Sequence, residues 1–133
     1  MIVVDTNLLV YLYLTGQRTA EAEAVARKDA AWAAPLLWRS EFRNVLAGLV
    51  RRRALAVEEA SRMADEAERW MAGREYGVVS HHVLHLAARS GCSAYDCEFV
   101  SLAQDLATSL VTTDRQVLAA FPGTAVAPKT FAA

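Results

Sequence analysis

The chain has 133 residues, of which 54% are hydrophobic and 22% are charged, and its formal net charge is −1. A chain of this length and composition can bury a sizeable core, so residues 1–133 are predicted to form one ordered domain. The charge balance excludes a general polyanion binder, and any contact with nucleic acid must come from a local patch.

Neither a membrane segment nor a secretion signal is predicted. No apolar stretch approaches the length of a membrane span, and the N-terminal apolar run lacks a basic leader and contains Asp5. The two cysteines, Cys92 and Cys97, have no Cys-x-x-Cys pairing and no metal-ligand spacing, so we interpret them as small core residues. We therefore expect a cytoplasmic protein without a membrane partner.

Strands and helices are predicted to alternate along the whole chain. The first strand is the apolar run at residues 2–4, which ends at Asp5. Further strands are predicted over residues 31–34, 76–79, 109–113 and 124–127, and helices over residues 8–14, 19–28, 36–53, 57–71, 81–90, 93–106 and 115–121. The alternation predicts a three-layer α/β/α domain with a central, mostly parallel sheet of about five strands. The two long helices at residues 36–53 and 57–71 are predicted to form a helical hairpin.

Apolar residues at helical spacing predict which helix faces are buried. In the helix that begins at Ser93, the expected core stripe consists of Tyr95, Phe99, Leu102 and Leu106. In the helix at residues 36–53, Glu41 lies beside the stripe that contains Trp38. A carboxylate beside an apolar face costs free energy unless an arginine, solvent or a cation compensates it. Glu41 is therefore predicted either to form an ion pair or to face a cation shared with Asp5.

Four acids are predicted to meet at one edge of the sheet. Asp5 and Asp114 each follow an apolar strand, and the carboxyl ends of parallel strands share one edge. Glu41 and Asp96 each lie near the start of a helix at that edge. The alternative for Asp5 and Asp96 is a purely structural role at a helix N-terminus. Converging carboxylates need a counter-ion, and oxygen ligands suit one or two Mg²⁺ or Mn²⁺ ions.

Several other polar residues are candidates for supporting or binding roles. Three are placed to orient waters or backbone around the ions: Thr6, Asn7 and Thr113. Six arginines are candidates for contact with RNA phosphate or an acidic partner: Arg39, Arg43, Arg51, Arg52, Arg53 and Arg115. The alternative for the three that end the long helix is favourable interaction with the helix dipole. His81, His82 and His85 are expected to be surface or capping residues rather than zinc ligands.

The order of these motifs resembles a PIN domain, and the size of the chain resembles the VapC toxins of type II toxin–antitoxin pairs. The motifs are Asp-Thr-Asn after the first strand, Glu41 early in a long helix, Tyr95-Asp96 at a helix start, and Thr113-Asp114-Arg115 after a late strand. The resemblance implies a Mg²⁺- or Mn²⁺-dependent endoribonuclease, commonly dimeric, that a cognate antitoxin inhibits. It also implies that the metal-binding and catalytic acids are Asp5, Glu41, Asp96 and Asp114, with Thr6, Asn7 and Thr113 as supporting residues. Cys97 departs from the pattern, because a small alanine is more usual after the third acid.

Other functions are also compatible with parts of this pattern. A catalytically inactive PIN-like module that binds RNA or protein is one alternative, although a binding role does not need four intact acids. A DNA-directed nuclease of the same fold is another, because nothing in the sequence reads a 2′-hydroxyl. An aspartyl phosphatase is disfavoured, since it usually needs a second acid where Asn7 stands. A receiver domain is disfavoured because the only late lysine is Lys129.

Overall fold

The computed structural model describes all of residues 1–133. Its strands are β1 (Ile2–Val4), β2 (Trp32–Pro35), β3 (Glu75–Tyr76), β4 (Leu110–Val111) and β5 (Ala125–Val126). Its helices are α1 (Thr6–Tyr13), α2 (Thr19–Lys28), α3 (Leu37–Arg51), α4 (Val57–Met71), α5 (Ser80–Ser90), α6 (Ala94–Asp105), α7 (Arg115–Ala120) and α8 (Pro128–Ala132). No helix is long and apolar enough to cross a bilayer.

The strands form one five-stranded sheet in the order β3-β2-β1-β4-β5. Every neighbouring pair is parallel, which confirms the predicted sheet. The central strand β1 is entirely buried, because helices cover both faces of a parallel sheet and leave no solvent side for a polar residue. The order of the strands places β1 beside β4, so the two strands that precede acids are neighbours.

Most predicted elements are present, and the differences have local causes. Helices α2 and α4 occupy the predicted residues. Strand β3 is only two residues long and does not reach Val79, because Val79 is already the N-cap residue of α5. Helix α8 was not predicted; it begins with Pro128 at a position where proline suits a helix start. It packs against α2.

An ion-pair network holds the predicted helical hairpin of α3 and α4 to the edge strand β3. Arg39 donates to both carboxylate oxygens of Glu75, at 2.6 and 2.7 Å, and to Glu68 at 3.0 Å. The indole N–H of Trp38 donates to the same Glu75 carboxylate at 2.7 Å. This geometry corrects one sequence-based candidate: Arg39 is occupied by structural carboxylates and is not free for RNA or a partner.

Contacts of a histidine on α5 with α6, and a tight turn between the two helices, hold α5 and α6 together. His82 lies 2.9 Å from Ser101 Oγ, 3.2 Å from Asp105 Oδ1 and 3.0 Å from Gln104 Oε1. Both ring nitrogens of His82 therefore have partners on α6, whereas His81 and His85 are exposed. Gly91 ends α5 with φ of 76°, a left-handed conformation that glycine adopts without steric cost.

The replacement Glu75→Gln should destabilise the protein by about 1–3 kcal/mol at neutral pH, because it removes the charge of the carboxylate that accepts two of the three hydrogen bonds from Arg39 and leaves only Glu68 as an anionic partner. The hydrogen bonds from Arg39 hold the pKa of Glu75 below its usual value. The contribution of this pair is therefore present above the unfolded pKa of 4.5 and is lost as pH falls through the folded value. Urea unfolding of both proteins across this pH range checks the prediction, and a difference that grows on acidification would contradict it.

Candidate active site

The four predicted acids line one cleft at the carboxyl edge of the sheet. The cleft has a volume of about 270 Å³, and its polar lining residues are Asp5, Thr6, Asn7, Glu41, Asn44, Asp96, Thr112 and Asp114. The register of the sheet explains the convergence, because Val4 pairs with Val111 and the residues that follow them leave the sheet side by side. The predicted meeting of the four acids at one edge is thus present in the structure.

Asp5 is the most deeply buried of these acids, and both of its oxygens accept hydrogen bonds. The backbone N–H of Leu8 donates to Oδ1 at 3.1 Å and so caps α1. The Thr112 hydroxyl donates to Oδ2 at 2.5 Å, and the backbone N–H of Thr113 donates to the same oxygen at 3.4 Å. Burial, opposed by these bonds and supplemented by the charge of Asp114, raises the pKa of Asp5 from 3.8 to about 6.

Thr112 connects the first acid to the last, and the sequence prediction missed it by naming Thr113. The Thr112 hydroxyl bonds Asp5 and accepts the backbone N–H of Asp114 at 3.1 Å. Asp114 Oδ1 in turn accepts the N–H of Val117 at 3.0 Å and caps α7. A local signal was available, because a threonine hydroxyl commonly bonds the backbone N–H two residues later.

Glu41 is held by a threonine from a different helix. The Thr6 hydroxyl donates to Glu41 Oε1 at 2.6 Å, which ties the first residue of α1 to α3. Burial, together with the charge of Asp96, raises the pKa of Glu41. Glu98, two residues after Asp96 on α6, lies near Glu41. Burial and the Glu41 charge raise the pKa of Glu98.

Asp96 enters the cleft from the first turn of α6. Its backbone N–H donates to Ser93 Oγ at 3.0 Å, so Ser93 is the N-cap that the sequence predicted. Burial and the charge of Asp114 raise the pKa of the Asp96 carboxyl. The influence of Asp114 means that the starts of α6 and α7 lie close together at the mouth of the cleft.

Tyr95 does not face the core, and that prediction was wrong. Its side chain is 65% exposed, whereas Phe99 and Leu102 on the same predicted stripe are 4% and 3% exposed. Tyr95 lies in the first turn of α6, whereas Phe99 and Leu102 lie further along the helix, where the stripe is covered.

The four carboxylates lack any positive side chain to balance them. None forms an ion pair with lysine, arginine or histidine. Their oxygens are the ligands that Mg²⁺ and Mn²⁺ prefer. No group of three or more acidic, histidine or cysteine side chains stands close enough to hold one ion directly. Since Mg²⁺ usually keeps several waters and is held through one or two carboxylates, the site fits such an ion in charge and donor type.

The remaining candidates occupy different places. Asn7 lines the cleft and is exposed, and Asn44, which the sequence analysis did not name, lines it from α3. Arg51, Arg52 and Arg53 are exposed at the C-terminal end of α3 and form no ion pair. They follow Glu41 by at least ten residues, or about 15 Å of helix. These arginines therefore lie at a distance from the acids.

The fold and the cleft define an α/β protein with an acidic site at the carboxyl edge of a parallel sheet. The PIN domain family matches residues 2–122. The chain is also similar to Ribonuclease VapC3 from Pyrobaculum aerophilum, with 30% identity over 124 residues that cover 91% of this chain and 95% of that protein. The protein therefore belongs to the PIN domain family.

Solved structures agree with this assignment. The crystal structure of PAE2754 from Pyrobaculum aerophilum has a TM-score of 0.77 at 23% identity and covers 98% of this chain and 92% of that chain. The toxin–antitoxin complex from Klebsiella pneumoniae has a TM-score of 0.68 at 22% identity and covers 96% of this chain and 98% of that chain. At these identities the likeness concerns the fold, and it confirms the predicted α/β/α architecture.

The replacement Thr112→Val should lower the free energy of unfolding by about 1–3 kcal/mol, because it leaves two buried hydrogen-bonding groups without their partner. It should also raise the pKa of Asp5 further, because the lost bond stabilises the charged carboxylate. Urea unfolding and NMR titration of the Asp5 carboxyl carbon check both effects. Thr112→Ser, which keeps the hydroxyl, is the matched control, and equal losses in the two variants would contradict the prediction.

Asp5 should make the metal-free protein less stable as pH rises. Its folded pKa of about 6 exceeds its ordinary value of 3.8, so the folded state binds more protons between these values. Its contribution to stability is full at acid pH and declines as pH rises through this window. In EDTA, the free energy of urea unfolding should decline less with rising pH for Asp5→Asn than for the wild type. Parallel pH profiles of the two proteins would refute the assignment of the raised pKa to Asp5.

Proposed function

We propose that this protein is a metal-dependent endoribonuclease of the VapC type, the toxin of a type II toxin–antitoxin module. The observation that carries the proposal is the cleft in which four carboxylates converge without a basic partner. Such an arrangement costs stability unless a cation occupies it, so it is difficult to explain as scaffolding alone. The similarity to Ribonuclease VapC3 supports RNA as the substrate.

The residues that would hold Mg²⁺ or Mn²⁺, as one ion or two, are Asp5, Glu41, Asp96 and Asp114. A bound ion of this kind supplies charge neutralisation for a phosphodiester under attack by water. The chain itself supplies orientation: Thr112 holds Asp5 and the backbone of Asp114, and Thr6 holds Glu41. Thr113 contributes its backbone N–H to Asp5, and Asn7 offers an amide to the cleft.

The proposal includes a cognate antitoxin that inhibits the nuclease, and a homodimeric toxin. The fold is shared with a toxin–antitoxin complex from Klebsiella pneumoniae, which supports a protein partner. An apolar groove between α3 and α4, lined by Leu46, Val50 and Val57, is flanked by the unpaired Arg51 and by Arg43, which lies 3.8 Å from Glu68. This surface suits an amphipathic segment that carries acidic residues. A cytoplasmic location is part of the same proposal, because RNA and antitoxin would meet there.

Purified protein should cut total cellular RNA into discrete fragments with Mn²⁺ or Mg²⁺ and should be inactive in EDTA. Asp5→Asn and Asp96→Asn should each lower the rate at least about 100-fold, because each removes an anionic ligand from the site. Both variants should keep the fold. Gel analysis of the fragments and circular dichroism of the variants check these outcomes, and Asp65→Asn, which changes an exposed acid on α4, is the matched control.

Three results would count against the proposal. If Asp5→Asn cleaved as fast as the wild type, the site would be wrongly assigned. Cleavage of DNA but not RNA would favour the DNA-directed nuclease. If the protein bound RNA without cutting it in any divalent metal, the inactive binding module would be the better description. Light scattering of the eluting protein tests the dimer separately.

A further inference from the structure

Tyr95 is an exposed aromatic residue that is adjacent in sequence to an acid of the cleft. It has the largest exposed fraction of any bulky apolar side chain in the protein, at 65%. Its hydroxyl forms no hydrogen bond within the chain. The residue belongs to α6 and directly precedes Asp96, which lines the cleft. A free aromatic face therefore stands beside one of the four acids.

Helix geometry relates Tyr95 to Phe99, which lies four residues later on α6. Residues four apart share a helix face, so Tyr95 lies one turn beyond Phe99 in the N-terminal direction. Phe99 is buried and lines the cleft. The exposed ring of Tyr95 thus lies on the same face of α6 as Phe99, one turn nearer the N-terminus of the helix.

An unpaired arginine directly follows Asp114, another acid that lines the cleft. Gln116 Nε2 donates to the backbone oxygen of Gly91 at 3.2 Å, which holds the start of α7 against the turn before α6. Arg115 lies at the start of α7, is exposed and forms no ion pair. Arg115 is therefore adjacent in sequence to the cleft acid Asp114, as Tyr95 is to the cleft acid Asp96.

The charge of the cleft explains why a substrate needs further binding groups. The cleft itself offers four carboxylates and no basic side chain, and the whole chain has a net charge of −1. Apart from bound cations, neither attracts a polynucleotide, so groups around the acids are needed to add affinity for the substrate. Stacking of a base on an aromatic ring supplies affinity without depending on charge or on base identity.

We propose that Tyr95 stacks on an unpaired base next to the scissile phosphate, and so makes the enzyme select single-stranded segments of its substrate. This inference rests on the proposed nuclease function and assigns a binding residue to it. A base in a duplex is already stacked on both faces and cannot be splayed onto the ring, whereas a base in a loop can. Arg115 would contact the phosphate backbone beside the stacked base.

Cleavage kinetics on a short single-stranded RNA test the proposal. Tyr95→Ala should raise KM about 5- to 100-fold, the range found when stacking aromatic residues are removed. The kcat should change little, because stacking is equally present before and during the reaction. Tyr95→Phe keeps the ring and should behave like the wild type. Leu84→Ala, which trims an exposed apolar residue on α5, should also have no effect.

A second measurement reports stacking directly. We expect the Asp5→Asn protein to quench the fluorescence of an RNA that carries the base 2-aminopurine next to the cleavage position. The double variant with Asp5→Asn and Tyr95→Phe should also quench it. Adding Tyr95→Ala instead should abolish the quenching. The same RNA annealed to its complement should be cut more slowly by the wild type, and Tyr95→Ala should reduce this preference for the single strand.

The outcomes separate the possible failures. If the wild type cleaves RNA but Tyr95→Ala shows the same KM and the same quenching, the stacking role is overturned while the nuclease stands. If Tyr95→Ala instead loses self-association or antitoxin binding with its RNA kinetics unchanged, the ring contacts protein and the proposal is also overturned. If the wild type neither binds nor cuts RNA, the proposed function and this inference are both wrong.

Discussion

The parallel pairing of β1 with β4 is the constraint on which the site depends. Val4 lies opposite Val111, so Asp5 and Thr112 leave the sheet next to each other and form a hydrogen bond. The same Thr112 hydroxyl accepts the N–H of Asp114 and thereby fixes the acid of the second strand. One register thus places two carboxylates at one edge. Any slip of β4 would separate them, because each residue along a strand advances the chain by about 3.3 Å.

Two of the acids cap helices and also line the cleft. A helix cap and a role in the site were alternatives when only the sequence was considered, yet Asp5 and Asp114 each cap a helix with Oδ1 and also line the cleft. Capping fixes the direction of each carboxylate without a basic partner. The cost is visible in the raised pKa values of Asp5, Glu41 and Asp96. The ionised carboxylates therefore lower the stability of the folded protein, in a site whose charge favours cations.

The charged surfaces divide the molecule into two regions. The acids occupy the carboxyl edge of the sheet, whereas Arg51, Arg52 and Arg53 end α3 about 15 Å along the helix from Glu41. Arg39, near the start of α3, is neutralised by Glu75 and Glu68 and stabilises the hairpin. The arrangement suits a substrate phosphate held at one end and a protein partner at the other, in keeping with the proposed toxin and its antitoxin.

The sequence by itself determined the alternation of strands and helices, the parallel sheet and the candidacy of the four acids. Each depends on local patterns, such as the apolar run before Asp5 or the Ser93 cap of α6. Only the tertiary structure decided which neighbours those residues meet. In the structure the Thr112 hydroxyl donates to Asp5, the Thr6 hydroxyl donates to Glu41 and Arg39 donates to Glu75. The Tyr95 side chain is left exposed. The physical reason is that these contacts join residues far apart in the chain, or depend on where a helix extends beyond the sheet, and neither leaves a periodic trace in sequence.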